Sequence, residues 1–239
     1  MNRLPALSIF FPCYNEEANV ERLTRASVEA ARKYAETFEI IIVNDGSKDG
    51  TAALAERLAA ETPEVRAVHN NPNLGYGGAV ARGLREARMQ WIFFTDGDGQ
   101  FDVNEIGKLV ELLERCDFAV GYRIKRADPF VRKVNAFCWG TLVRMVFGLK
   151  VRDIDCAFKL LPKSLIDSIE LKSTGALIST ELLARAKYRG LRIAEVGVNH
   201  YPRVAGQQTG ANIKVILRAF RELFKLRRHI RSEGLPAKR

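Results

Sequence analysis

The sequence predicts an α/β domain with a mostly parallel central sheet and flanking helices. Three observations carry the prediction. Short apolar runs alternate with helix-patterned segments through the first half of the chain, as expected of successive βαβ units. With 239 residues, 47% of them hydrophobic, the chain can bury one sizeable core and carry an appendage. Each apolar run is followed by acids, amides, glycines or an arginine, and in parallel sheets ligands bind at the carboxyl ends of the strands.

Residues 7–11 read as the first strand and 16–34 as a helix, which Asn15 is placed to cap. Residues 39–43 form the second strand, followed by a helix over 49–60 with Asp49 at its start. The third strand is 65–69, followed by a glycine-opened helix over 77–88. The fourth is 91–95, with a helix over 103–114, and the fifth is 118–121. Two amphipathic helices follow. Over 130–149, Phe130, Val134, Phe137, Thr141, Met145 and Leu149 share one face. Over 213–231, Ile213, Ile216, Leu217, Phe220, Leu223, Phe224 and Leu226 oppose Lys214, Arg218, Arg221, Lys225, Arg227 and Arg228. Such a helix either lies in a membrane interface or docks on its own domain with the basic side in water. Residues 1–210 are therefore expected to be the functional domain and 211–239 a basic amphipathic tail.

The net charge of +10 is uneven: residues 201–239 hold 10 Lys/Arg against 2 Asp/Glu, leaving the rest nearly neutral. The acidic strand ends argue against nucleic acid as a partner, because they repel a phosphate backbone. Four cysteines, at 13, 116, 138 and 156, form no Cys-x-x-Cys and read as reduced thiols of a cytosolic protein. The first apolar run is too short for a signal sequence, and no stretch approaches the ~18 apolar residues that span a bilayer.

The segment Thr95-Asp96-Gly97-Asp98-Gly99-Gln100 ends the fourth strand. Two carboxylates one residue apart repel, and a divalent cation relieves that repulsion. Asp96, Asp98 and the Gln100 amide oxygen are hard ligands suited to Mg²⁺ or Mn²⁺. Such a metal keeps positions for phosphates, so the motif predicts a metal-dependent enzyme acting on a nucleotide diphosphate. Asp-Gly-Asp-Gly is also ordinary turn chemistry; its place among the other strand-end clusters favours the metal.

Four segments, Phe11-Pro12-Cys13-Tyr14-Asn15-Glu16, Val43-Asn44-Asp45-Gly46-Ser47, Asn73-Leu74-Gly75-Tyr76-Gly77-Gly78-Ala79 and Asp96-Gly97-Asp98-Gly99-Gln100, occur in order along the chain. Together they resemble the family-2 inverting glycosyltransferases, which have the GT-A fold. Gly121-Tyr122-Arg123 and the Asp-x-Asp-x-Gln pattern are most similar to the polyprenyl-phosphate sugar transferases of the dolichyl-phosphate mannose synthase type. The resemblance implies that Asp45 reads the base of a UDP- or GDP-sugar, with Pro12, Tyr14, Glu16, Asn73 and Gly75 around the nucleotide. It implies that Asp96 and Asp98 hold metal at the diphosphate, and that Arg123 completes the clamp.

The acceptor implied is a polyprenyl phosphate, whose phosphate oxygen attacks without a general base. A hydroxyl acceptor would need one, and Asp153 or Asp155 is the candidate; only Asp153 matches the family's aspartate. Arg126, Arg132, Lys133 and Arg203 suit an anionic acceptor. Glu181 resembles an acidic position that opens a family helix, either near a cap or in the active site. The setting implied is the cytoplasmic face of a membrane, bound peripherally by a helix or through a membrane protein partner. A non-catalytic scaffold is disfavoured by the intact acidic motif.

Overall fold

The computed structural model describes residues 3–124, 130–173, 175, 177–202 and 213–232, with backbone alone for 130–137 and 213–221. The first half follows the predicted order: β1 (Leu4–Cys13), α1 (Glu17–Tyr34), β2 (Ala35–Asn44), α2 (Thr51–Glu61), β3 (Val65–His69), α3 (Gly75–Glu86), β4 (Trp91–Thr95), α4 (Ile106–Leu112) and β5 (Phe118–Arg123). Then come α5 (Phe130–Phe147), β6 (Phe158–Pro162), α6 (Lys163–Asp167), α7 (Ile178–Tyr188), β7 (Ile193–Val198) and α8 (Ile213–Ser232).

The strands form one seven-stranded sheet in the order β3-β2-β1-β4-β6-β5-β7. Every pair is parallel except those of β6, which runs antiparallel to β4 and β5. The predicted mostly parallel sheet is therefore present, with one reversed strand inside it. That reversal leaves the carboxyl ends of β1, β2, β4 and β5 on one edge, where it also delivers the amino end of β6.

Several boundaries move for local reasons. β1 and β2 each run to ten residues. β2 starts immediately after α1, so Leu4 pairs with Ala35 and the ladder extends beyond the apolar run. The helix expected over 77–88 is α3, shifted towards the N-terminus. Asn73 Oδ1 accepts the Gly75 N–H at 2.9 Å, and the Arg88 N–H donates to Glu39 Oε1 at 2.7 Å instead of to the helix. The helix expected over 103–114 opens as a 3-10 turn in which Asp102 caps the Asn104 N–H. α5 stops at Phe147 because Gly148 takes a left-handed φ of 64°.

Helices cover both faces. On one face Phe10 and Phe94 stack at 5.3 Å beneath α3, where Gly83 lies against the Phe10 ring, and α3 packs on α7. On the other, Phe93, Phe158 and Phe101 cluster, and α4 meets α1 through Gly107 and Tyr34. The C-terminal half of α8 buries Leu223, Leu226 and Ile230, packing on α7 and α5, while Phe224, Lys225 and Arg228 stay exposed. Leu223, Leu226 and Ile230 therefore dock on the fold there, with Lys225 and Arg228 in water. Among the described residues no helix is long and apolar enough to cross a membrane.

Candidate functional site at the strand ends

Three loops are knitted together at the ends of β1, β2 and β3. Asn15, at φ 57°, donates its N–H to Ser47 Oγ (3.0 Å) and accepts the Lys48 N–H (2.8 Å). The Asp45 N–H donates to Cys13 O at 2.8 Å. Asp45 is buried, and its Oδ1 accepts from Asn70 Nδ2 (2.8 Å) and the Leu74 N–H (2.9 Å). Asn73 Nδ2 in turn donates to Asp45 O at 2.5 Å. Asp45, Asn73 and Gly75 are thus one assembly. Glu16 is buried and accepts from Asn19 Nδ2 at 2.8 Å, which fixes its carboxylate. Pro12 lies behind the acidic loop and Tyr14 is exposed.

The acidic loop is pressed against β1. A Cβ on Gly97 would sit 2.3 Å from Pro12 O and 2.8 Å from Cys13 Sγ. Backbone cannot yield as a flexible side chain does, so only glycine fits between the two aspartates. Gly97→Ala is expected to displace Asp96 and Asp98 and to lower turnover at least ~10-fold, with a smaller loss of stability; kinetics beside a thermal melt check this.

Asp96 Oδ1 is buried and has no hydrogen-bond partner. Burial, and then the charge of Asp98, push the Asp96 carboxyl up to about 7, opposed by the Tyr76 hydroxyl, Arg123 and Lys159. The Tyr76 ring is partly open to solvent while its hydroxyl meets Asp96. Burial and the Asp96 charge raise its pKa well above the ordinary tyrosine value. Asp98 Oδ1 accepts the Gln100 N–H at 3.1 Å. Gln100 Nε2 donates to Tyr201 O at 2.8 Å, and the Tyr201 N–H to Gln100 O at 2.8 Å. The amide nitrogen is engaged, so Gln100 would meet a metal through its oxygen.

The residues present fit a hard divalent cation. An orphaned, buried carboxylate oxygen beside a second carboxylate is unfavourable without one. Among the described residues no third His, Cys, Asp or Glu joins them. The remaining ligands would be Gln100, substrate phosphate oxygens and water.

Across the site, Arg123 ends β5 and is gripped by Asp153. Nε donates to Oδ2 and Nη2 to Oδ1, both at 2.7 Å, and the Arg123 N–H adds a third bond at 3.3 Å. Burial works against the Arg123 charge, but Asp153 outweighs it and raises the guanidinium pKa further. Asp155 is exposed. Glu181 lies in a separate buried pair with Arg185. Arg126 and Arg203 lie outside the described residues, as do the side chains of Arg132 and Lys133.

The model for glycosyl transferase family 2 matches residues 8–169. The chain belongs to this family. It is 32% identical over 207 residues to glycosyltransferase AglD of Haloferax volcanii, covering 82% of this chain and 33% of that one. It is 32% identical over 224 residues to the dodecaprenyl-phosphate galacturonate synthase of Rhizobium johnstonii (92% and 65%). It is 29% identical over 229 residues to the dolichol-phosphate mannosyltransferase of Pyrococcus furiosus (92% and 63%). The chain thus spans between a third and two thirds of these relatives' lengths. Among solved structures, glucosyl-3-phosphoglycerate synthase from Mycobacterium tuberculosis with Mn²⁺ and UDP-glucose superposes with a TM-score of 0.70 at 20% identity. That match covers 93% of this chain and 79% of that one, and the same enzyme is also known with Mg²⁺ and UDP. At this identity the likeness fixes the fold, which is GT-A-like.

Sequence reasoning identified the acidic loop, Asp45 and Arg123 as strand-end groups. It missed Tyr76 as the neighbour of Asp96, though the residue stands in the glycine-rich motif. It also missed Lys159, whose signal is a lysine inside the apolar run Phe158-Lys159-Leu160-Leu161.

Proposed function

We propose that this family-2 glycosyltransferase moves a sugar from a UDP- or GDP-sugar to a polyprenyl phosphate, with inversion at the anomeric carbon. A phosphate oxygen of the acceptor bonds to that carbon while its bond to the nucleoside diphosphate breaks. Asp45, with Pro12, Tyr14, Glu16, Asn73 and Gly75 around it, holds the nucleotide. Asp96, Asp98 and Gln100 hold Mg²⁺ or Mn²⁺, which when bound stabilises negative charge on the departing diphosphate. Arg123 faces the same charge from the opposite side.

The observation that carries the choice of acceptor is the state of Asp153. Both of its oxygens are taken by Arg123, so it is poorly placed to remove a proton. An acceptor that needs no base fits this arrangement, and a phosphate is one. The names of two relatives, a dodecaprenyl-phosphate and a dolichol-phosphate enzyme, point the same way. Arg126, Arg132 and Arg203 are the proposed contacts to the acceptor phosphate. The exposed basic side of α8 suits peripheral binding to an anionic membrane face, which we place on the cytoplasmic side.

The test is transfer of radiolabel from a panel of UDP- and GDP-sugars into butanol-extractable product. The reaction contains a short polyprenyl phosphate and Mn²⁺ or Mg²⁺, with Asp98→Ala as control. Metal-dependent product, absent with the variant, is expected. Product formed only with a hydroxyl acceptor would replace the lipid phosphate and return Asp153 or Asp155 to the role of base.

A further inference from the structure

Lys159 is fully buried in the middle of the sheet. It lies in register with Phe94 of β4 and Val120 of β5, and its ammonium sits over the Phe94 ring, 5.5 Å from the centroid. Removing an ammonium from water costs several kcal/mol unless its surroundings replace the hydration. Here they do so with oxygen atoms from one turn and one helix. Nζ donates to Ile154 O at 3.1 Å, to Cys156 O, and to Ser179 Oγ in the first turn of α7 at 3.3 Å. Burial lowers its pKa, while Cys156, Asp155, Asp153 and Asp96 act to hold the charge.

The two carbonyls belong to the turn that carries Asp153. Within the turn the Cys156 N–H also donates to Asp153 O at 3.3 Å, a long bond, while Glu195 of β7 holds its start by accepting the Arg152 N–H at 2.6 Å. Asp153 grips Arg123 through both oxygens. A chain of contacts therefore runs from a buried cation, through two carbonyls and one carboxylate, to the guanidinium facing the acidic loop. Replacing the lysine with an apolar residue would leave two buried carbonyls without this donor and loosen the 154–156 end of the turn.

We infer that Lys159 is a positioning residue: its buried ammonium fixes the Asp153–Cys156 turn and, through Asp153, aims Arg123 at the diphosphate of the donor. The inference rests on the proposed reading of Arg123 as a diphosphate contact. It assigns to a core strand residue, outside the four loop motifs, control over the clamp.

A double-mutant cycle on nucleotide binding tests it, with UDP and GDP as probes in the presence of Mn²⁺, read by calorimetry. Lys159→Met is expected to weaken binding of the preferred diphosphate roughly 10-fold or more and to leave the affinity for the matching nucleoside unchanged. Arg123→Ala should show the same pattern, and the double variant should be no weaker than Arg123→Ala alone. Lys159→Arg, which keeps the charge, should recover part of the loss. Additive losses, an equal loss of nucleoside affinity, or wild-type diphosphate affinity in folded Lys159→Met would overturn the inference. If Lys159→Met does not fold, Lys159→Gln, which keeps an N–H donor without the charge, enters the same cycle. Binding needs no acceptor. Failure of lipid transfer in the wild type would therefore refute the acceptor reading and leave this coupling measurable.

Discussion

Asp96→Asn is expected to abolish metal-supported transfer and, in the metal-free protein, to raise stability at alkaline pH. The buried Asp96 carboxyl titrates at about 7, above its unfolded value of roughly 3.9. Between those values the folded state binds the extra proton, so its stability falls as pH rises from about 4 through 7. Below that window the folded carboxyl is neutral and carries no penalty. Above it, the ionised group lies buried beside Asp98, with one oxygen lacking a partner. A shift of this size corresponds to at most ~4 kcal/mol. Asparagine removes the charge and should flatten this part of the pH profile, so denaturation at pH 5 and pH 8 in EDTA separates variant from wild type. Added Mn²⁺ should restore stability to the wild type at pH 8 by mass action and give little to the variant. Transfer should fall at least ~100-fold, the scale of losing electrostatic stabilisation of a leaving group. Identical pH profiles for the two proteins would mean that Asp96 is not the group under strain.

The parts of the fold that sequence revealed are those with local causes. The apolar runs of β1, β2, β4 and β5 are buried between helices, and burial on both faces leaves an unmistakable composition; β3, a partly buried edge strand, is legible as the short run 65–68 between a helix and a turn. β6 and β7 lack that signature. Lys159 interrupts β6, and β7 is a half-buried edge strand reading Ile-Ala-Glu-Val-Gly-Val. The insertion of β6 between β4 and β5 is a non-local choice that no spacing along the chain encodes. The site divides in the same way. Asp45, Asn73, Asp96 and Asp98 stand on loops whose motifs survive as short segments. The pairing of Arg123 with Asp153 joins residues thirty positions apart, and the support of Lys159 for that pair needs the reversed strand. Sequence proposed Arg123 as a clamp and, separately, Asp153 or Asp155 as the base a hydroxyl acceptor would need. The structure pairs Arg123 with Asp153 through both carboxylate oxygens, and under the proposed function that aspartate anchors the arginine.

Glu181→Ala is expected to cost about 3–5 kcal/mol of stability, the range for breaking a buried ion pair from one side. Glu181 is fully buried with Arg185 four residues on, Nε to Oε1 at 2.8 Å, both on α7. The same carboxylate accepts the Lys172 N–H at 3.0 Å and the Ser173 N–H at 2.7 Å. It therefore latches the segment ahead of α7 to the helix. Alanine would take one carboxylate partner from a buried guanidinium and leave two backbone donors without their acceptor. Adding Arg185→Met to Glu181→Ala removes the other buried charge and should return part of the loss, because charge removal on both sides is far cheaper than on one. The return stays partial, since the Lys172 and Ser173 N–H groups still lack their acceptor. Urea midpoints at constant slope measure both steps; additive losses would show that the pair is not coupled. The consequence reaches the chemistry through α7 itself. Ser179, two residues before Glu181, receives a bond from Lys159. A loosened first turn of α7 should therefore lower transfer in Glu181→Ala even at temperatures where the protein remains folded.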